Sequence, residues 1–188
     1  MDDVELVERA RRGDERAFSE LFARHQRAIF RYAVHMGGAE AGDDVVQETF
    51  LTILRRNGRY DPSRGPVIAY LLGIARHLVL KRRVNNVTDT EELDDDAIAK
   101  VAWVAATVLD DLTRAETIEA VRAAVQSLPH PYREVVVLCE LQEMDYATAA
   151  EVMECPIGTV RSRLHRARAL LTMKLAAMQP ERHASSTV

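Results

Sequence analysis

Residues 154–171 read Glu154-Cys-Pro-Ile-Gly-Thr-Val-Arg-Ser-Arg-Leu-His-Arg-Ala-Arg-Ala-Leu-Leu171. At 100° per residue the apolar side chains form one narrow stripe, which predicts a helix that packs along that side. The stripe consists of Val160, Leu164, Ala167 and Leu171. The opposite side carries Arg161, Ser162, His165 and Arg166. Those cations and hydrogen-bond donors suit a groove of nucleic acid.

A second, shorter helix is predicted just before this one, over residues 146–153. Its expected packing residues are Ala147, Ala150, Val152 and Met153. A short helix, a three-residue turn and a basic helix together are typical of a helix-turn-helix. A basic helix on its own would more simply be a surface helix with a solvated Arg face, and the paired helix and turn favour DNA binding over that alternative.

Composition predicts an all-helical protein with one ordinary or two small domains. The chain has 188 residues, 47% of them hydrophobic and only 5% aromatic, and apolar spacing is helical nearly throughout. The two cysteines and six histidines show neither a disulfide framework nor metal-ligand spacing. There is no apolar leader at the start and no run near the roughly 18 residues of a membrane helix. We therefore expect a cytoplasmic protein with no cofactor and no membrane insertion.

Charge is distributed unevenly along a chain whose net charge is -4. Residues 85–118 carry 2 basic against 9 acidic side chains, whereas residues 1–84 carry 15 against 12. We predict a first domain over 1–84, an acidic linker over 85–117 with a short apolar helix around Trp103, a second domain over 118–178 and a tail over 179–188.

The first domain should begin with a short helix over 2–12, ended by Gly13, and a long helix from Asp14 to Gly37-Gly38. His25 lies on the apolar face of the long helix, so we interpret it as a packed histidine and not as a ligand.

The third helix, opened by Gly42-Asp43, has two contrasting faces. Val46, Phe50 and Ile53 make its buried stripe, and the opposite face carries Asp44, Gln47, Glu48 and Leu51. Acidic residues around an exposed leucine would suit a basic partner helix, although a solvated charged face with one stray leucine fits equally well.

A cationic loop over 55–65 leads into the next helix, which starts at Pro66. The expected buried stripe of that helix is Ile68, Leu72, Ala75 and Val79, and its outer face carries Tyr70, Ile74, His77 and Lys81. Aromatic rings beside cations are what single-stranded nucleic acid binding requires. Cations at a helix C-terminus also complement the helix dipole, which leaves a purely structural explanation open. In the second domain, helices over 118–127 and 133–141 are predicted on either side of a break at Leu128-Pro129.

Several motifs occur together and in order: Asp43-Asp-Val-Val-Gln-Glu-Thr-Phe50, Leu71-Leu-Gly-Ile-Ala-Arg76, Leu128-Pro129 and Pro156-Ile-Gly-Thr-Val-Arg-Ser-Arg-Leu164. With this spacing the chain closely resembles the extracytoplasmic-function sigma factors of bacterial RNA polymerase over about 14–84 and 119–175. Those proteins keep two helical domains, called regions 2 and 4.

The resemblance implies three binding surfaces and no catalytic residue. The core polymerase surface, which docks on the clamp helices of the largest subunit, matches Asp43, Asp44, Gln47, Glu48 and Leu51. The surface for the minus-ten promoter element matches Asn57, Arg59, Tyr60, Arg64, Tyr70, His77 and Lys81. The surface for the minus-thirty-five element matches Thr159, Arg161, Ser162, His165 and Arg166. The resemblance also implies an anti-sigma factor as a further partner.

The chain departs from the family pattern at four positions. Thr148 stands where glutamate is usual, Glu154 where the turn usually has glycine, His77 where asparagine is usual and Tyr70 where tryptophan is common. A left-handed backbone at Glu154 would cost about 1 kcal/mol relative to glycine.

Two other functions fit parts of the sequence. A stand-alone helix-turn-helix regulator would bind duplex DNA without polymerase, and its charge should be more basic than that of this chain. A metal-dependent enzyme could use His25, His35, Asp43, Asp44 or Glu48, but those histidines do not fall at ligand spacing within one helix turn.

Overall fold

The structure, a computed structural model, describes residues 1–55, 60–86 and 114–177, and every described regular element is helical. Within these ranges eight α-helices follow in order: α1 Asp3–Arg11, α2 Glu15–Gly37, α3 Gly42–Arg55, α4 Val67–Asn86, α5 Arg114–Gln126, α6 His130–Val136, α7 Tyr146–Met153 and α8 Ile157–Ala177. Short 3-10 turns lie at Ala39–Ala41 and Pro62–Arg64, and a π-helical turn lies at Val137–Leu141. The predicted all-helical fold is confirmed over this part of the chain.

The described residues divide into two compact units. The first holds 1–55, 60–86 and 137–161, and the second holds 114–136 and 162–177. Helix α4 reaches Asn86 and α5 starts at Arg114, so helices extend into both ends of the predicted linker. The domain boundaries remain a prediction. Trp103 and the tail from 179 onward lie outside the described residues.

The core of the first unit forms where α2, α3 and α4 pack together, with α1 against α2. Leu21, Ile29, Tyr32 and Leu71 are fully buried there. Burying a large apolar side chain stabilises a fold by roughly 1.5–3 kcal/mol, so these residues hold the helices together. His25 is buried as predicted, and its Nε2 lies 2.8 Å from Oδ2 of Asp3 in α1.

Single residues determine where helix α2 of this unit begins and ends. Asp14 caps α2, and its Oδ1 accepts hydrogen bonds from the backbone N–H groups of Arg16 and Ala17. The Arg9 side chain donates a hydrogen bond to the same carboxylate, and these bonds hold the pKa of Asp14 below its usual range. Gly38, with φ of 92°, ends α2 in a conformation that favours glycine.

The second unit contains α5 and α6, joined through a short turn. Leu128, Tyr132 and Val135 are buried in it. Arg133 ties the turn by donating from Nη2 to the carbonyl of Leu128 at 2.9 Å. Helix α6 begins at His130, three residues before the predicted start, because proline is tolerated in a first helical turn.

Two predicted packing faces need correction. Ile74, expected on the outer face of α4, is 6% exposed, and Ile68, expected inside, is only half-buried. The reason is that α7 packs along α4, so α4 is covered on more than one side. In α7, Ala147 was expected to pack inward but is exposed, and Ala149 is buried instead.

None of the helices in the described ranges combines the length and the hydropathy needed to cross a membrane.

Candidate functional site

The predicted polymerase surface lies on the outward face of α3. Asp43, Asp44, Gln47 and Glu48 are exposed and Leu51 is half-buried. On the reverse face Val46, Phe50 and Ile53 are buried, as predicted. The helix spacing therefore separates a packing face from an acidic face that surrounds one leucine. Oδ2 of Asp44 lies 3.3 Å from Nη2 of Arg82 in α4; the Asp44 side chain is 67% exposed and the Arg82 side chain 42%.

An apolar groove of about 580 Å³ runs beside this acidic face, between α2 and α3. All four phenylalanines of the chain line it: Phe18, Phe22, Phe30 and Phe50. Phe50 makes an edge contact with Phe18, with ring centroids 6.0 Å apart, and Phe30 is 40% exposed. Asp43, Gln47 and Leu51 line the groove as well. Sequence analysis placed the Phe50 ring on a buried stripe and did not identify the groove, because the groove forms between two helices and no pattern within one helix indicates it.

The predicted minus-ten surface is built around two tyrosines. The rings of Tyr60 and Tyr70 contact each other, with centroids 5.6 Å apart. The Tyr60 hydroxyl donates to the carbonyl of Gly65 at 2.8 Å, which ties the end of the loop to the start of α4. Burial, followed by the charge of Asp3, raises the pKa of Tyr60. The phenol therefore stays neutral and remains a donor.

A cavity of about 650 Å³ opens beside these tyrosines. It is lined by Tyr60, Arg64, Tyr70 and His77 on one side and by Glu151 and Glu154 of the α7 end on the other. The Tyr70 hydroxyl is buried and has no hydrogen-bond partner within the described part of the chain. Lys81 is exposed further along α4. Asn57 and Arg59, also predicted for this surface, lie outside the described residues.

Glu154 connects the turn after α7 to α4. Its Oε2 lies 3.3 Å from Nη1 of Arg76, and its Oε1 lies 3.3 Å from Nε2 of His77. Its backbone has φ of 52° and ψ of 43°, so the left-handed conformation considered for this position is present. Arg76, whose side chain is 17% exposed, was not among the predicted site residues. Its partner Glu154 lies 78 residues away in the chain, so no local pattern indicated the contact.

The predicted minus-thirty-five surface lies on α8. Arg161, Ser162 and His165 are exposed, and Thr159 and Arg166 are half-buried. Val160, Leu164 and Ala167 are buried along the opposite stripe, as predicted, while Leu171 is only half-buried. The guanidinium carbon of Arg161 lies 6.0 Å from the centre of the Tyr146 ring, at the start of α7.

Helix α7 owes its start to Asp145. The Asp145 carboxylate accepts from the backbone N–H groups of Ala147 and Thr148 and from the Thr148 hydroxyl, at 3.0, 2.9 and 2.6 Å. The Thr148 hydroxyl therefore donates directly to the capping carboxylate of Asp145. In the family this position is usually occupied by glutamate. The Thr148 hydroxyl, followed by the backbone bonds, holds the pKa of Asp145 below its usual range.

No group of three or more His, Cys, Asp or Glu side chains within the described ranges is placed to hold a metal ion. His25, one of the residues considered for a metal-dependent enzyme, is instead packed beside Asp3.

Family models match both parts of the chain. Residues 21–93 match sigma-70 region 2, and residues 118–171 match sigma-70 region 4. The first match contains the α3 and α4 surfaces, and the second contains α7 and most of α8.

Two sigma factors are similar to this chain in sequence over nearly its full length. The sigma-H factor of Pseudomonas aeruginosa is 35% identical over 192 residues, which cover 95% of this chain and 94% of that protein. The extracytoplasmic-function (ECF) sigma-E factor of Escherichia coli K12 is 31% identical over 182 residues, 92% of this chain and 94% of that protein.

Solved structures share the fold. CnrH in complex with the cytosolic domain of CnrY superposes with a TM-score of 0.68 and 29% identity, over 95% of this chain and 99% of that one. The sigma factor RpoE in complex with the anti-sigma factor NepR, from Bartonella quintana, has a TM-score of 0.64 and 19% identity, over 86% of this chain and 98% of that one. Two family models, full-length relatives and a common fold all agree, and the chain belongs to the extracytoplasmic-function sigma factors of bacterial RNA polymerase.

Proposed function

We propose that this sigma factor binds core RNA polymerase through the acidic face of α3 and directs it to promoters through α4 and α8. The acidic face, defined as Asp43, Asp44, Gln47, Glu48 and Leu51, would dock on the clamp helices of the largest subunit. The observation that carries this proposal is that the four polar members are all exposed while the reverse of α3 is buried. Such an exposed helix face can meet a basic partner helix, with Leu51 supplying an apolar contact.

The minus-ten element would be held at the Tyr60 and Tyr70 pair. Exposed or partly exposed rings can stack on unpaired bases, and Arg64, His77 and Lys81 can follow the phosphate backbone. Asn57 and Arg59 belong to the same proposed surface on the basis of the family resemblance.

The minus-thirty-five element would be read by α8 in the major groove. Arg161, Ser162 and His165 are exposed, and Thr159 and Arg166 flank them. Arginine can donate two hydrogen bonds to guanine, and serine and histidine can each make one contact with a base or a phosphate.

The low basic charge fits a subunit that works only within a larger complex. Non-specific DNA affinity comes mostly from cations that release counterions from phosphates, and this chain has a net charge of -4. Core polymerase would supply the non-specific DNA affinity that this chain lacks. We accordingly propose a cytoplasmic initiation factor without catalytic residues or cofactor of its own.

An anti-sigma factor is the second proposed partner. CnrH, 29% identical to this chain, was solved in complex with the cytosolic domain of CnrY. A factor of this kind would hold the protein inactive until a stress or other signal releases it.

The direct test is run-off transcription with purified core polymerase on a library of promoter fragments. The proposal predicts initiation at a restricted set of sequences, together with capture of the largest polymerase subunit in a pull-down. Tight binding to duplex promoter DNA without polymerase, combined with no specific initiation, would instead identify a stand-alone helix-turn-helix regulator.

A further inference from the structure

The α7 end presents two carboxylates to the cationic side of the minus-ten cavity. Glu151 and Glu154 line the cavity opposite Arg64 and His77. If a Cβ were added to Gly65, Cγ of Glu151 would lie 4.0 Å from it, so α7 reaches the loop that leads into α4. Residues 137–161 belong to the same compact unit as α4. A DNA phosphate approaching these cations would meet carboxylates already in place.

Glu154 is the strongest of these contacts. One of its oxygens lies 3.3 Å from Arg76 and the other 3.3 Å from His77, so a single carboxylate bridges two neighbouring cationic or ionisable side chains of α4. The Arg76 side chain is 17% exposed and the Glu154 side chain is 59% exposed, so solvent screens this pair less than it screens a fully exposed surface pair.

The backbone of Glu154 makes a side chain at this position costly. With φ of 52° it occupies the left-handed region that disfavours side chains with a Cβ. Local strain of this kind persists where the surrounding structure over-determines it, and it is often found at functional contacts. Glycine would relieve the strain, but it would remove the carboxylate that reaches Arg76 and His77.

We propose that the free chain masks its own minus-ten surface, with the turn after α7 docked on α4 through Glu154. The carboxylate takes the role of a DNA phosphate until a partner or the promoter displaces it. This inference rests on the function proposed for α4. It adds an internal reason why the free factor would bind DNA weakly, beyond the unfavourable net charge.

Glu143 provides a matched control. Like Glu154 it is an exposed glutamate with a left-handed backbone, φ 55°, in the same helix-turn-helix region. No ion pair links it to α4 among the described residues. Glu143→Gly and Glu154→Gly therefore remove the same charge and the same strain, and only Glu154→Gly removes the contact with Arg76 and His77.

The test compares the two variants with the wild-type full-length chain, without polymerase. Binding is measured by the fluorescence anisotropy of a labelled random-sequence single-stranded 12-mer DNA pool. Docking is measured by amide hydrogen exchange in the segment 70–77. Because the carboxylate that pairs with Arg76 and contacts His77 is lost, Glu154→Gly should bind the pool about three- to tenfold more tightly than Glu143→Gly, and exchange should rise only in Glu154→Gly.

Two results would overturn the proposal in distinguishable ways. If exchange over 70–77 is the same in both variants, the turn does not dock through Glu154, and the proposed sigma-factor function is untouched. If exchange rises in Glu154→Gly but DNA affinity matches that of Glu143→Gly, the masked face does not bind single strands. In that case the masking proposal fails, whereas the assignment of α4 to the minus-ten element is tested separately by transcription with core polymerase.

Discussion

Arg161 of α8 lies against the ring of Tyr146 at the start of α7, with its guanidinium carbon 6.0 Å from the ring centre. Arginine over an aromatic face is stabilised by about 0.5–1 kcal/mol at an exposed site. The contact joins the two helices of the helix-turn-helix across the turn. It limits the directions in which the Arg161 side chain can extend towards DNA.

Replacing Tyr146 should therefore weaken promoter recognition indirectly. Tyr146→Ala should lower minus-thirty-five-dependent transcription about two- to fivefold, because the lost 0.5–1 kcal/mol leaves Arg161 less ordered. Tyr146→Phe keeps the ring and should behave like the wild type. Multiple-round transcription from a selected promoter measures the activity of both variants. Equal losses in the two variants would assign the effect to the Tyr146 hydroxyl.

Arg161→Ala tests the contact with DNA itself. A bidentate contact between arginine and a base contributes about 1–3 kcal/mol of discrimination, so selectivity in the minus-thirty-five element should fall roughly 10- to 100-fold while core binding is unchanged. Lys174→Ala removes a cation 13 residues further along α8 and serves as the control. Sequencing of transcripts from a randomised minus-thirty-five library gives the readout. Loss of core binding in Arg161→Ala would mean that the DNA and polymerase surfaces are wrongly assigned.

The helices and their faces were largely predictable because apolar spacing of 3–4 residues reports burial directly. The bounds of α7 and the buried stripe of α3 were predicted correctly. The errors arose where a helix packs against something distant in sequence. Ile74 is buried because α7 covers α4, and no local pattern in α4 contains that information. Arg76 was missed for the same reason, since its contact is with Glu154, 78 residues away.

Charge reversal on α3 should weaken polymerase binding. Glu48→Arg places a cation on the face proposed to meet a basic helix, and a like-charge contact should raise the Kd for core polymerase by about 10-fold or more. Glu8→Arg makes the same charge change at an exposed position on α1 and should leave the Kd unchanged. Competition with a labelled sigma factor measures the affinity. Equal effects of both variants would indicate a general electrostatic contribution and not a defined surface.

Asp145 should stabilise the helix-turn-helix in a pH-dependent way. Asp145→Ala removes the α7 cap and should cost about 1 kcal/mol at pH 7, whereas Asp145→Asn, which also caps well, should cost little. The pKa of Asp145 is lower in the folded state than in the unfolded state, so its ionised form stabilises the fold above the unfolded pKa. That contribution is lost as pH falls through the folded pKa. Thermal unfolding of the three proteins at pH 7 and pH 3 should show the cost of Asp145→Ala shrinking in acid, and a constant difference would contradict the pKa shift.

The two interactions of Tyr60 can be separated by substitution. Tyr60→Phe keeps the ring against Tyr70 and loses only the hydrogen bond to the Gly65 carbonyl, whereas Tyr60→Ala loses both. Stacking of a base on an aromatic ring contributes about 1–3 kcal/mol, so Tyr60→Ala should reduce promoter opening about 10-fold. Tyr60→Phe should reduce it no more than about threefold, because one hydrogen bond is worth roughly 0.5–1.5 kcal/mol and part of it is regained from water.

Permanganate reactivity of thymines in the minus-ten element, measured with reconstituted polymerase, reports how much promoter is open. A template with a preformed bubble supplies the control, since melting is then already complete. If the Tyr60 ring holds the separated strand, Tyr60→Ala should remain defective on the bubble template. If the defect disappears there, the ring acts only while the strands separate. If Tyr60→Phe is as defective as Tyr60→Ala, the hydrogen bond to Gly65 is what matters, and Tyr60 acts by fixing the loop at the start of α4 and not by stacking on DNA.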